Sequence, residues 1–182
     1  MIEKALLVDL DREKVKSQDL KKEDVKNFIG GSGLAARIIY EGMEMGVGNT
    51  LVFLAGPLTG TKAPACGRYV VCARSPLTGM WGEANSGGFF GPYMRFAGYD
   101  GIIIIGRAAR LSYIFIENGK AEIRDASHLS GRDTYETQKI IQDGDKGIKV
   151  ACIGVAGEHL VKYAAIMNDE GRAAGRCGLG AV

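Results

Sequence analysis

Two segments of the 182-residue chain carry the residue types that hold an anion. The first joins Gly67-Arg68-Tyr69 to Asn85-Ser86-Gly87-Gly88, so a guanidinium, an amide side chain and glycine N–H groups gather near a predicted helix start. Together these groups suit phosphate oxygens: backbone N–H groups at a helix start point at the ligand, and a charged donor shortens and strengthens each hydrogen bond. The second segment, Arg172-Ala173-Ala174-Gly175-Arg176-Cys177-Gly178, repeats the ingredients with two arginines, each able to grip phosphate oxygens with two parallel N–H groups. A single cluster reads better as a tight turn solvated by arginine. Two in corresponding positions favour a phosphate-bearing ligand.

Other constellations weigh less. Gly31-Ser32-Gly33-Leu34-Ala35-Ala36 has dinucleotide-fingerprint spacing, but residues 23–29 before it look helical, and a helix-to-helix turn is the better reading. Residues 56–62 lack the lysine-hydroxyl pair of a nucleotide-binding phosphate loop. His128 and His159 stand far apart without the spacing of metal ligands. Cys66, Cys72, Cys152 and Cys177 contain no closely spaced pair and read as reduced packing thiols. Asp169-Glu170 beside Arg172 is read as a salt-bridged turn in preference to a general base. No catalytic residue is assigned.

The elements that must position these clusters follow from periodicity. Residues 4–10 suit an opening strand and residues 34–43 a helix; strands are expected at 51–54, 68–74 and 102–105. Pro92 and Gly98 bracket a short helix after the first cluster. Asn118-Gly119 between residues 113–116 and 121–124 is the dipeptide that tolerates the positive φ angles of a tight hairpin. Asp133 with Glu136 forms a capping box for a helix ending near residue 142, and strands are expected at 149–153 and 163–167. The order strand, strand, glycine cluster, helix occurs in the middle of the chain and again at its end. We therefore expect an α+β fold with a duplicated strand-rich unit in pseudo-twofold relation, mixed or antiparallel sheets and short helices. The second copy stops before its last strand.

Composition narrows the class. Hydrophobic residues at 46% and charged ones at 24% fit a folded globular protein, while 27 glycines are about twice the usual share. A net charge of +2 with interleaved signs argues against nucleic-acid binding. No signal-like segment or apolar span is visible, so no membrane association is expected and the cytoplasm is the expected location.

With these residues in view, the chain resembles the N-terminal domain of the aldehyde ferredoxin oxidoreductase family, the tungsten or molybdenum bis-pterin enzymes. The resemblance rests on residues 55–60 (Ala-Gly-Pro-Leu-Thr-Gly), 67–69, 75–79 (Ser-Pro-Leu-Thr-Gly), 84–88 (Ala-Asn-Ser-Gly-Gly), 96–100 (Phe-Ala-Gly-Tyr-Asp), 123–128 (Ile-Arg-Asp-Ala-Ser-His) and 164–180. It is looser over residues 13–49. The resemblance implies a base for two pterins (a bis-molybdopterin) that chelate one tungsten or molybdenum, their phosphates bridged by magnesium. Carried onto this sequence, Arg68, Asn85, Ser86 and Gly87 would serve one pterin phosphate, and Arg172, Ala173, Gly175 and Arg176 the other. The backbone carbonyls of Asn85 and Ala173 would help to hold the magnesium.

The resemblance further implies aldehyde oxidation with ferredoxin as electron acceptor, and a 4Fe-4S cluster ligated by later domains rather than by this chain. Residues 1–182 would be the N-terminal cofactor-binding domain of a larger oxidoreductase, truncated at its C-terminal end and inactive alone. Its partners would be the C-terminal domains of the same enzyme. Self-association through apolar surface left uncovered without them is also expected. The alternative is a stand-alone phosphate- or pterin-binding module, or a cofactor-carrying assembly subunit.

Overall fold

The most apolar runs of the sequence become the inside of one sheet. In the computed structural model, which describes residues 2–182, six strands form a mixed sheet: β1 (Lys4–Asp9), β2 (Lys14–Asp19), β3 (Leu51–Ala55), β4 (Tyr69–Arg74), β5 (Trp81–Ser86) and β6 (Gly101–Ile105). Their order is β2-β1-β6-β3-β4-β5. Strand β6 runs parallel to β1 and antiparallel to β3, and the other neighbours are antiparallel. Its Gly-Ile-Ile-Ile-Ile sequence fits that central place, because a strand covered on both faces has no solvent side for polar residues.

Helices α1 (Lys22–Phe28) and α2 (Gly31–Glu44) follow one another, and α2 packs on β3 and β4 while burying Leu34, Ala35 and Ile39. The expected helix-to-helix turn is therefore present. Gly31 and Gly33 fall inside the first turn of α2, which starts three residues earlier than apolar spacing suggested. On the sheet, Phe53, Tyr69 and Phe90 form an aromatic cluster with ring centroids 5.2 to 6.2 Å apart. Phe90 opens α3 (Phe90–Phe96), a short helix with Pro92 in its first turn and Gly98 (φ 105°) just after its C-cap, Ala97.

The rest of the chain builds two smaller sheets. Strands β7 (Ser112–Glu117) and β8 (Lys120–Asp125) form the hairpin around Asn118 (φ 50°) and Gly119 (φ 76°), as the turn residues required. Helix α4 (Thr134–Gln142) is capped by Asp133, whose carboxylate accepts from the N–H groups of Tyr135 and Glu136, both at 2.8 Å. A short helix, α5 (Val155–Glu158), separates β9 (Ala151–Cys152) from β10 (Ile166–Asn168), and β11 (Arg172–Ala174) completes an antiparallel meander ordered β11-β10-β9. The chain is thus α+β, with one mixed and two antiparallel sheets and short helices.

Three expectations need correction. The strand expected at 149–153 shrinks to the two residues of β9, and the one expected at 163–167 lies at Ile166–Asn168. The second cluster opens no helix: Arg172–Ala174 is β11, and turns closed by Ala181 N–H to Gly178 O and Val182 N–H to Leu179 O follow it. Cys177 (φ 65°) and Gly178 (φ 69°) are left-handed, a conformation that a right-handed helix cannot include. What the two halves share is an antiparallel meander, β3-β4-β5 and β9-β10-β11, ending at a glycine-arginine cluster.

Candidate cofactor-binding site

The first cluster is assembled by strand pairing. Registers Tyr69↔Ser86 and Val70↔Asn85 bring the start of β4 beside the end of β5, so Arg68 and Asn85, 17 residues apart, meet across the sheet. Arg68 Nε donates to Asn85 Oδ1 at 2.8 Å and Nη2 donates to the same oxygen, while Asn85 O lies 3.5 Å from Nη2. A methyl group on Gly87 would sit 3.5 Å from Arg68 Nη1, an ordinary contact, so Gly87 lies directly beside the guanidinium. Arg68 and Asn85 are both exposed.

The backbone of Arg68 is held from beneath. Its carbonyl accepts from the buried Thr59 hydroxyl at 2.8 Å, and that hydroxyl accepts from Gly56 N–H at 3.0 Å. Arg95 donates to the carbonyls of Pro57 and Thr59 and pairs with Asp100 at 2.8 Å. Asp100 in turn accepts from the N–H groups of Glu3 and Lys4. The Gly-Pro-Leu-Thr-Gly and Ala-Gly-Tyr-Asp segments are therefore the frame on which Arg68 stands.

A buried clamp joins the two clusters. Asn168, at the end of β10, is fully buried, and its Oδ1 accepts from Ser86 Oγ at 2.7 Å and Tyr69 Oη at 3.0 Å. Its Nδ2 donates to Gly87 O at 3.0 Å and to Asp169 Oδ2 at 2.8 Å. Asp169 Oδ2 also accepts from the N–H groups of Phe89 and Phe90, at 2.5 and 3.3 Å, where α3 begins. Burial pushes the Tyr69 phenol up, keeping it the neutral donor that Asn168 requires. Gly88 (φ 84°) leaves no room for a side chain, since a Cβ there would collide with the Asp169 carboxylate.

This arrangement revises two readings. Among the described residues Asp169 makes no salt bridge; its Oδ2 instead accepts from three amide N–H groups, those of Phe89, Phe90 and the Asn168 side chain. Ser86 is buried and its hydroxyl points to Asn168, so only its main chain is left to face a ligand.

The second cluster lies beside the first because β11 packs against β5. Cys177 Sγ donates to Glu83 O at 3.5 Å, pinning the turn after β11 to β5. Arg172, Ala173, Gly175 and Arg176 are all exposed. Among the described residues, no carboxylate lies within salt-bridge distance of Arg68, Arg172 or Arg176, nor of Arg74 or Arg107, whereas Arg12, Arg37, Arg95, Arg110, Arg124 and Arg132 each have at least one. The same residues include no group of three or more His, Cys, Asp or Glu set to hold a metal.

Two of the cysteines, Cys72 and Cys152, behave as packing thiols, whereas Cys177 is exposed. All four are free, and burial pushes both Cys72 and Cys152 up to about 12, leaving them protonated and unreactive at neutral pH. Iodoacetamide at pH 8 is expected to alkylate the exposed Cys177 in the folded protein, while Cys72 and Cys152 react only after denaturation. Peptide mass spectrometry reads the outcome; native-state labelling of Cys72 at the rate of Cys177 would contradict it.

Fold and site together define an α+β chain that presents two arginine-glycine clusters on neighbouring strand ends. The chain belongs to the aldehyde ferredoxin oxidoreductase N-terminal domain family, whose model matches residues 5–182. It is 47% identical over 182 residues to the tungsten-containing aldehyde ferredoxin oxidoreductase of Pyrococcus furiosus, and 46% identical over 184 residues to that of Thermococcus kodakarensis. Those alignments cover 96% and 97% of this chain but 30% of each relative. Among solved structures, the active site complex BamBC of benzoyl coenzyme A reductase, in complex with 1,5 dienoyl-CoA, matches with a TM-score of 0.93 and 38% identity. That match covers 98% of this chain and 28% of the other. The chain therefore spans about three-tenths of the length of these relatives.

Proposed function

We propose that residues 1–182 are the N-terminal cofactor-binding domain of a larger cytoplasmic oxidoreductase that converts aldehydes to carboxylates and passes the electrons to ferredoxin. In this reading the two clusters hold the phosphate ends of a bis-pterin tungsten or molybdenum cofactor. The observation that carries it is the pairing of two exposed, carboxylate-free arginine-glycine cradles on the adjacent strands β5 and β11. Arg68 with Gly87 takes one phosphate, and Arg172 and Arg176 with Gly175 take the other. The guanidinium of Arg68, beside Gly87 and without a carboxylate partner among the described residues, suits a dianionic group.

In this reading the main-chain carbonyls of Asn85 and Ala173 would help to hold magnesium, a hard cation that prefers oxygen ligands. When bound, the metal-pterin group supplies the redox chemistry; this chain supplies position and charge neutralisation. No acid or base is assigned to it. A 4Fe-4S cluster belongs, in this reading, to the domains that complete the enzyme, and the free thiols of this chain are not its ligands. The 30% share of the relatives' length favours the larger enzyme over a stand-alone module. Among the described residues no helix is long and apolar enough to cross a membrane.

Substrate class is the part of this reading most open to test, because the benzoyl coenzyme A reductase complex shares the fold at high similarity. With the full-length protein, aldehydes are expected to drive ferredoxin reduction with stoichiometric carboxylate formation. Electron transfer with aromatic acyl-CoA compounds and none with aldehydes would reassign the substrate.

A further inference from the structure

The turn between β10 and β11 touches both clusters and holds a conformation that it would not keep alone. Register Asn168↔Arg172 closes the hairpin around residues 169–171. Asp169 (φ 43°) and Glu170 (φ 64°) are successive left-handed residues, and neither is glycine. Aspartate visits this region with help from local hydrogen bonds, whereas a longer side chain such as that of Glu170 meets the full steric penalty. Left-handed backbone of this kind persists where its surroundings over-determine it.

Two helices supply that constraint. From α3, the Phe89 and Phe90 N–H groups donate to Asp169 Oδ2 at 2.5 and 3.3 Å. From α4, Gln138 accepts the Glu170 N–H on Oε1 at 2.9 Å and donates through Nε2 to Thr134 O at 2.9 Å. Gln138 is 3% exposed. A buried amide side chain is costly unless both its ends are bonded, and here the acceptor end goes to the turn. Gly171 N–H donates to Asp169 O at 2.8 Å and tightens the loop further.

The place of this turn gives it reach. On one side, Asn168 Nδ2 donates to Gly87 O at 3.0 Å, and a Cβ on Gly88 would collide with the Asp169 carboxylate. On the other side, Arg172 and Ala173 of β11 pair with Asn168 and Met167 of β10. The route from Gly87 to Arg172 therefore runs through one hydrogen bond and one strand pair. A second tie between the clusters, Cys177 Sγ to Glu83 O at 3.5 Å, uses a thiol, which is a weak donor. We infer that Asp169 and Gln138 are positioning residues, a role that rests on the reading of the clusters as the two ends of one ligand's site. They act through the turn at 169–171 to hold Arg68 and Arg172 at the spacing that two linked phosphates require. Neither side chain needs to touch the ligand. Affinity for a ligand with two anchors depends on whether both engage at once, whereas affinity for a single phosphate does not.

Asp169→Ala and Gln138→Met, made separately in the full-length protein, test this through two measurements. The first is the rate at which metal and pterin leave the purified holoprotein, followed by elemental analysis and pterin fluorescence of the filtrate. Each variant is expected to release them at least ~10-fold faster than the wild type. The second is the binding of inorganic phosphate to protein produced in a host without pterin synthesis, followed by phosphorus magnetic resonance. Each variant is expected to bind it no more weakly than the wild type. Release at the wild-type rate in either variant overturns the role of that residue and leaves the cofactor reading standing. Phosphate binding that falls in step with faster release overturns the role too, because that pattern marks a general loss of structure. A wild-type protein with neither metal nor pterin overturns the cofactor reading and this role with it.

Discussion

Arg68→Ala and Arg176→Ala, introduced separately into the full-length protein, are expected to leave it folded but depleted of tungsten and pterin. Each replacement removes charge-assisted hydrogen bonds to a phosphate, worth about 1.5–3 kcal/mol, or roughly a 10- to 100-fold loss of affinity. Both side chains are exposed and neither is paired with a carboxylate, so stability should change little. Lysine at either position keeps the charge but not the two-pronged geometry, and intermediate occupancy follows. Arg74→Ala is the control, because Arg74 donates to the Gly79 carbonyl and belongs to neither cluster. Elemental analysis and fluorescence of the oxidised pterin give the content, and circular dichroism checks the fold. Occupancy unchanged in both alanine variants removes the proposed roles.

Asn168→Ala separates stability from binding in the opposite sense. Asn168 is fully buried and makes four hydrogen bonds, so its loss strands the hydroxyls of Tyr69 and Ser86 and frees the Gly87 carbonyl in the interior. Leaving several buried polar groups without partners, together with the cavity, should cost about 3–5 kcal/mol. Urea unfolding of the protein measures this as a large fall in midpoint at unchanged slope. Tyr69→Phe, which removes one of the four bonds, should cost about 1 kcal/mol. A loss below about 1 kcal/mol for Asn168→Ala would show that the clamp does not join the two halves.

How much of this was legible in the sequence depends on how local each signal is. Interior strands such as β6 announce themselves by unbroken apolar residues, and the Asn118-Gly119 hairpin and the Asp133 cap by turn and capping chemistry within a few residues. The two strands of the large sheet that periodicity missed, β2 (Lys-Val-Lys-Ser-Gln-Asp) and β5 (Trp-Gly-Glu-Ala-Asn-Ser), are its two edges. Strand β2 buries no residue, and the residues that β5 buries are the small Gly82, Ala84 and Ser86, so neither shows an apolar stripe and both look like loops. For the same reason the pairing of Arg68 with Asn85 was expected only as a shared cluster, and the β4–β5 register supplied the contact.

The Asn168 clamp left no local trace. Its partners Ser86 and Tyr69 lie 82 and 99 residues away, and an Asn-Asp pair at a turn is otherwise ordinary. A cue existed in Gly88, whose position requires close approach by something; the structure identifies that neighbour as Asp169. The second cluster misled in a different way. Its composition matched a helix start, but the left-handed Cys177 and Gly178 turn the chain back toward β5 instead.

The central claim is that the two cradles hold the two ends of a single bis-pterin metal cofactor. Its most direct test is the metal and pterin content of the natural full-length protein, purified without oxygen. The account predicts one tungsten or molybdenum atom and two pterins per chain, with magnesium retained. A protein that carries its full iron complement but neither tungsten, molybdenum nor pterin would contradict it.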